Sequence, residues 1–334
     1  MRRYVIFLAG MLFSLTLLGV AWADQTPVFQ RLGDMEQEVY GEVRPGGLIE
    51  RLSGLEQSLF GRELPGTVAE RQAAVINFVE EGTPSQPSLL FKLAVAEWIT
   101  EQRSHPSRPV VKRLAGLETL LEGESKGEGP LAMRLERLLG LLVSDPVQWE
   151  SVTVPAGTVI RVALSQTISP STVTVGDVVR GALTDSLFVR EVLVAPKGTL
   201  VEGTASKVKK PRSFGRPGEV IFALERLLPP APGSLPVSVG EVATKAAQAE
   251  RAQIAAVGGS LAGAILLGPL GLAGGFLVRG DVKEVPEGTV FHLEVPESVS
   301  VLGYSVPDGL RNMIPTGEIV SKDVAPSESE VDNL

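Results

Sequence analysis

Between residues 28 and 142 the apolar positions recur in one spacing, 0, +4, +7 and +11. Val28, Leu32, Met35 and Val39 fit it, as do Leu48, Leu52, Leu55 and Leu59, then Val110, Leu114, Leu117 and Leu121, then Leu131, Leu135, Leu138 and Leu142. Two looser copies lie between them: Val68, Gln72, Val75 and Val79, and Leu89, Leu93, Ala96 and Thr100. The copies start every 20 or 21 residues. Steps of 4, 3 and 4 set side chains on one stripe of an α-helix, so each copy predicts an amphipathic helix of about 14 residues, about 21 Å long. Such a helix is marginal alone. Several in succession can bury their stripes as antiparallel hairpins, in a bundle or a short solenoid. Gly41, Gly61 and Gly123 stand where a left-handed residue would end the helix, and Pro45, Pro65, Pro84, Pro106 and Pro130 punctuate the intervals.

The repeat carries a charge pattern. Its +3 position is basic in every copy (Arg31, Arg51, Arg71, Lys92, Arg113, Arg134), and its +8 position is acidic in four (Glu36, Glu56, Glu97, Glu118). Arg31 and Glu36 are five apart, a poor spacing for a pair on one helix. Two readings follow: a solvated face whose ion pairs, some between neighbouring repeats, contribute little, or an arginine ladder that engages a charged polymer such as cell-wall glycan.

From residue 151 the pattern changes to short β-branched runs divided by Gly and Pro. Residues 152–164, 172–180, 188–194, 199–208, 219–228 and 235–242 read as strands. Val154-Pro-Ala-Gly-Thr158, Ala195-Pro-Lys-Gly-Thr199 and Val285-Pro-Glu-Gly-Thr289 repeat a tight turn leading into a strand, with proline at the first central position. The fold class expected is α+β in two domains: an all-α helical repeat, residues 24–147, followed by a β-barrel or sandwich, residues 148–300.

An uncharged run of residues 252–278, bracketed by Arg251 and Arg279, interrupts the strands. Small residues four apart, Gly259 to Gly263 and Gly271 to Gly275, favour close helix packing, and Gly268-Pro269 suits the tip of a hairpin. Strand-like text resumes after the run, so both flanks are expected in one β-domain, with the chain returning to the side it left. Each arm is shorter than a bilayer crossing requires. The residues expected to meet a membrane or a second copy are Gly259, Gly263, Leu266, Leu267, Leu270, Gly271, Gly275 and Phe276; a hairpin packed on the protein's own surface is the alternative. Lys207, Lys209, Lys210, Arg212 and Arg216 form a candidate anion-binding loop, or a solvated hairpin loop.

Composition narrows the chemistry. Arg2 and Arg3 precede an apolar stretch ending in Ala21-Trp22-Ala23, which predicts a cleaved signal peptide over residues 1–23, with an uncleaved membrane anchor as the alternative, and an exported protein, periplasmic or associated with the outer membrane of a bacterium. The formal charge of −8 disfavours nucleic acid. With no cysteine and two histidines, His105 and His292, neither in ligand spacing, no metal or other cofactor is expected. No nucleophile elbow or phosphate loop is present, and no catalytic residue is assigned. Residues 301–334 read as a mostly disordered acidic tail.

Val154-Pro-Ala-Gly-Thr158, Ala195-Pro-Lys-Gly-Thr-Leu-Val-Glu-Gly203, Gly215-Arg216, Glu225-Arg226-Leu227 and the break from Pro229 to Gly233 together carry a resemblance. Through them residues 152–295 resemble the carboxy-terminal β-domain of TrbI-like scaffold proteins of conjugation and type IV secretion machines. It implies a ring-forming scaffold near the outer membrane, some members of which send a helical hairpin from the barrel into it. The chain departs from that pattern in lacking a long proline-rich arm and in carrying the helical repeats. The function expected is a non-enzymatic envelope scaffold that forms homo-oligomers or meets envelope proteins or the outer membrane through the glycine-rich hairpin; the alternative is a module that binds cell-wall or surface polysaccharide.

Overall fold

The computed structural model describes residues 28–83, 85–211, 218–256, 276–279 and 284–315. The predicted signal peptide lies outside them. Each repeat forms a helix: α1 (Val28–Tyr40), α2 (Leu48–Phe60), α3 (Val68–Ile76, continued by a π-helical turn, Asn77–Glu81), α4 (Leu89–Glu101), α5 (Val110–Glu122) and α6 (Leu131–Leu142). The predicted stripe is the buried one: Leu32, Met35 and Val39 of α1 and Leu52, Leu55 and Leu59 of α2 are sealed from solvent. Gly41, Gly61 and Gly123 take positive φ as expected, +86°, +74° and +87°. At Gly61 a side chain is excluded a second way, because a Cβ would come within 2.7 Å of Pro130, the residue that starts α6. Gly41 meets Pro109 ahead of α5 in the same manner. Helix ends four repeats apart are thereby packed together.

The charge pattern is a set of buried ion pairs between successive repeats. Arg51 donates to Glu36 through Nε (3.1 Å) and Nη2 (2.7 Å), and Arg71 to Glu56 at 2.9 and 2.6 Å. Arg113 binds Glu97 at 2.9 and 2.7 Å, and Arg134 binds Glu118 at 2.8 and 2.7 Å. Each glutamate also accepts a backbone N–H from the loop after its own helix: Arg44, Leu64, His105 and Lys126 respectively. One carboxylate thus fastens its helix, the following loop and the next helix. The most exposed of these side chains, Arg71, is only 9% exposed. This corrects both sequence readings: the four arginines are neither solvated nor free to engage a polymer. Charges this deep require a partner, and the side-on fork of guanidinium on carboxylate supplies it.

Among the described residues the β-part contains two antiparallel sheets. The smaller joins β1 (Trp149–Val154), β11 (Val299–Ser305), β5 (Val192–Ala195) and β4 (Leu187–Val189), in that order. The larger runs β10 (Val290–Glu294), β2 (Val159–Leu164), β3 (Val178–Leu183), β6 (Leu200–Lys209), β7 (Glu219–Leu227), β8 (Leu235–Pro236), with β9 (Phe276–Arg279) also on β7. The larger sheet curls until its ends meet: just past β8, Ser238 exchanges both backbone hydrogen bonds with Glu294 of β10, at 2.9 and 2.8 Å. Ile160, Val162 and Leu164 of β2 and Phe291 and Leu293 of β10 point inward and are buried with Val154, Val189 and Val194 of the smaller sheet. The architecture is therefore mixed α+β, helices first and curled antiparallel sheets after.

The three repeated turns share one construction. In each, the threonine N–H and hydroxyl both reach back to the proline carbonyl, the hydroxyl at 2.7, 2.6 and 2.7 Å. Proline is thus the first residue of the turn rather than its first central one, and glycine takes the third place with φ +78°, +90° and +81°, where a type II turn needs it. The glycine N–H and threonine carbonyl then clamp a neighbouring residue, Val295, Leu183 or Leu164.

Other expectations shift. Residues 172–177 form turns, and strand β3 starts only at Val178. Beyond Pro236 the expected strand gives way to a helix, α7 (Glu241–Ala256), as its Ala-, Gln-, Glu- and Lys-rich sequence favours. The ordered chain passes residue 300: β11 ends at Ser305, Val306 is buried, and a 3-10 turn spans Asp308–Met313. The expected tail therefore does not begin at 301; its residues 316–334 lie outside the described residues. Helices and sheets share core at their seam, where Trp98 of α4 stacks edge-on against Phe188 (5.9 Å) and Tyr304 (6.2 Å), and Phe91 against Trp149 (5.7 Å).

Replacing one partner of a buried pair leaves the other charged and unpaired. Glu97→Ala, which strands Arg113 and the His105 N–H, should destabilise the fold by about 3–5 kcal/mol. Urea denaturation followed by circular dichroism measures this; a loss below about 1 kcal/mol, typical of surface pairs, would show that the pair contributes nothing special.

Candidate functional site

The uncharged run joins the fold at two places. Its first residues belong to α7, which leans on the outward face of β10 and β2, and its last to β9, which pairs with β7 from Glu219↔Arg279 to Phe222↔Phe276. Both ends are fixed to the same curled sheet.

The α7 anchor is polar. The Glu294 carboxylate accepts the Ala243 N–H in the first turn of α7 at 2.7 Å, where the free N–H groups of a helix favour an anion. Gly240 permits this approach: a Cβ there would fall 1.8 Å from the Glu294 carboxylate. Two turns on, Glu250 meets His292 Nε2 at 2.8 Å and Arg161 Nη1 at 3.1 Å. Arg161 also binds Asp185 through Nη2 at 2.7 Å, and Asp185 accepts the Thr184 hydroxyl. Alternation along the strands places these groups: Arg161 lies opposite His292 in the β2–β10 register, and both project outward between inward Ile160, Val162, Phe291 and Leu293. Burial lowers the His292 pKa from its ordinary value; the Arg161 and Arg251 guanidiniums lower it too, and the Glu250 carboxylate opposes them.

Of the residues expected to meet a membrane or second copy, Phe276 is described, and it faces inward. It is 4% exposed, its ring 4.1 Å from that of Phe291 and 5.4 Å from that of Phe222. It anchors β9 instead of presenting an outer surface, because three rings from β7, β9 and β10 fill one end of the core. Gly259, Gly263, Leu266, Leu267, Leu270, Gly271 and Gly275 lie outside the described residues. Among the described residues no helix is long and apolar enough to cross a membrane.

The expected basic loop begins in strand. Lys207 and Lys209 belong to β6 and bind Glu219 of β7 at 2.9 and 3.1 Å, so part of their charge is already answered; Lys210 follows the strand, and Arg212 and Arg216 lie outside the described residues. His105 meets Glu101 at 3.1 Å. Sequence reading missed the grouping of His292, Glu250, Arg161 and Asp185. The outward alternation of His292 was visible, but its partners are 42 to 131 residues away, and no spacing rule joins them.

Elsewhere the described residues line further concavities. A groove of ≈ 540 Å³ between α1 and the start of α5 is lined by Gln37, Tyr40, Glu42, Ser107, Arg108 and Lys112 among others. A cleft of ≈ 440 Å³ at the seam receives Glu38 and Glu80. Burial raises both carboxyl pKa values, and each glutamate has a neighbouring carboxylate acting in the same sense, while Arg113 and Arg31 respectively oppose it.

No family model matches the chain, and no curated protein sequence matches it. A solved structure of ComB10 from the Com type IV secretion system of Helicobacter pylori is a weak neighbour, 14% identical over 44% of this chain and 89% of that chain, with a TM-score of 0.22.

The environment of His292 sets a pH dependence. Because its folded-state pKa lies below the unfolded value of about 6.5, the neutral ring favours the docked structure. That contribution is complete above about pH 6.5 and is lost as the pH falls through that value toward the folded pKa. An NMR titration of the imidazole resonances should find His292 titrating below 6.5; a value at or above 6.5 would show that burial does not govern the site.

Proposed function

We propose that the protein is a non-enzymatic scaffold of the cell envelope that presents its glycine-rich segment, residues 257–275, from a rigid base to a membrane or to a second copy of itself. The observation that carries this reading is the two-point anchorage: α7 and β9 hold the ends of an uncharged run on one curled sheet, so the run leaves and rejoins a single body. An uncharged, small-residue segment gains by contact with an apolar neighbour. Export is read from the apolar stretch behind Arg2 and Arg3. The helical repeats, bound to the sheets through Trp98 and Phe91, extend the base and give it further surface for envelope partners.

Polysaccharide binding remains a second reading, moved to a new location. The arginines of the ladder are occupied by Glu36, Glu56, Glu97 and Glu118, so the groove of Gln37, Tyr40, Ser107 and Arg108 is what favours it.

Cell fractionation with chemical cross-linking tests the scaffold. The full-length protein should sediment with membranes or cross-link to itself, and a variant lacking residues 257–275 should lose that behaviour while keeping its fold by circular dichroism. A soluble, monomeric protein unaffected by the deletion would overturn the reading; sedimentation with purified cell wall, abolished by Tyr40→Ala with Arg108→Ala, would replace it with the second.

A further inference from the structure

The contact between α7 and the sheet differs in kind from every other packing contact of the helices. Across residues 241–253 of α7, Ala243 is the one buried side chain. By comparison, α1 buries Leu32, Met35 and Val39, and α4 buries eight side chains from Leu89 to Trp98. The sheet face under α7 is built to the same rule. Arg161, His292 and Glu294 project toward the helix, whereas the apolar side chains of the same strands point into the core. Lifting residues 241–253 of α7 would therefore expose groups that water solvates well, and Ile160, Val162, Phe291 and Leu293 would stay covered.

The holding contacts are individually weak. Glu250 and Arg161 are each more than a third exposed, which screens their pair. The Glu294 contact is a single charge-assisted hydrogen bond at a helix start. The curled sheet closes without the helix, through Ser238 and Glu294 backbone bonds that precede α7 in sequence or belong to β10.

We propose that α7 is a detachable strap, a helix that docks on the outer face of β2 and β10 through Glu294, Glu250, His292 and Arg161 and lifts off while the sheet beneath it remains closed. Gly240 is the pivot, since the sheet bonds that precede it end at Ser238. The charged groups facing the latch are Glu250 and Arg251 from α7, Arg161 from β2, Asp185 from the segment after β3, and His292 and Glu294 from β10. The strap's motion requires no membrane or partner, so its test is independent of the scaffold reading.

Hydrogen exchange on the full chain, resolved by mass spectrometry, tests the proposal. Amides of α7 should exchange about tenfold or more faster than those of β6 and β10, as a sub-global opening requires. Glu250→Gln should raise α7 exchange severalfold further and leave β6 and β10 unchanged. The absence of cysteine allows a second measurement: spin labels at Gln248→Cys and Ser206→Cys should report two separations, with the longer one enriched by Glu250→Gln. Exchange of α7 in step with β10 and β6, or a single separation unaffected by Glu250→Gln, would overturn it.

Discussion

A carboxylate that is closed off from water must have its charge answered by hydrogen-bond donors, and that requirement organises the helical half of this protein. Glu36, Glu56, Glu97 and Glu118 each accept a forked pair of bonds from an arginine of the next helix and an N–H from the intervening loop. A helix, a loop and a second helix must therefore arrive together, which fixes how many residues separate one repeat from the next. An apolar core alone would tolerate sliding by part of a turn. A buried ion pair does not, because a displaced partner leaves an uncompensated charge.

The ladder has a break, and the break is informative. At the +8 position of the third repeat stands Ile76 rather than glutamate, and in the next repeat the basic position holds Lys92 rather than arginine. Lys92 reaches Glu136 on α6 instead. Arg31, with no repeat before it, forms a half-exposed pair with Glu80. Arginine thus occupies a buried site wherever the preceding repeat supplies a glutamate, and the planar fork of its guanidinium explains the choice over lysine. The result is two groups of three helices, joined by the π-helical turn after α3 and by the meeting of helix ends at Gly41 with Pro109 and Gly61 with Pro130.

The helical core meets the β-part at one seam. Trp98, Phe188 and Tyr304 merge the helical core with the smaller sheet, and burial pushes the Tyr304 phenol up to about 12. The larger sheet then carries two kinds of attachment. Strand β9 is held by ladder hydrogen bonds and by Phe276 among Phe222 and Phe291, while residues 241–253 of α7 are held chiefly by a few charged groups on an outward face. The ends of one uncharged run are thus secured very unequally.

Much of this was legible in the sequence. The 4, 3, 4 spacing gave the six helices and their buried stripes, the glycines at positive φ gave the helix ends, and the Pro-x-Gly-Thr turns gave strand beginnings, because each is governed by local sterics or by the period of one element. Even the pairing of the ladder left a trace, in the 15- or 16-residue separation of each glutamate from its arginine and the joint loss of both at Ile76 and Lys92. Whether those charges faced water or one another, where Phe276 points, and that His292, Glu250 and Arg161 would meet were decided by the tertiary structure. Burial is a property of which surfaces come together, and surfaces contributed by distant segments have no period along the chain.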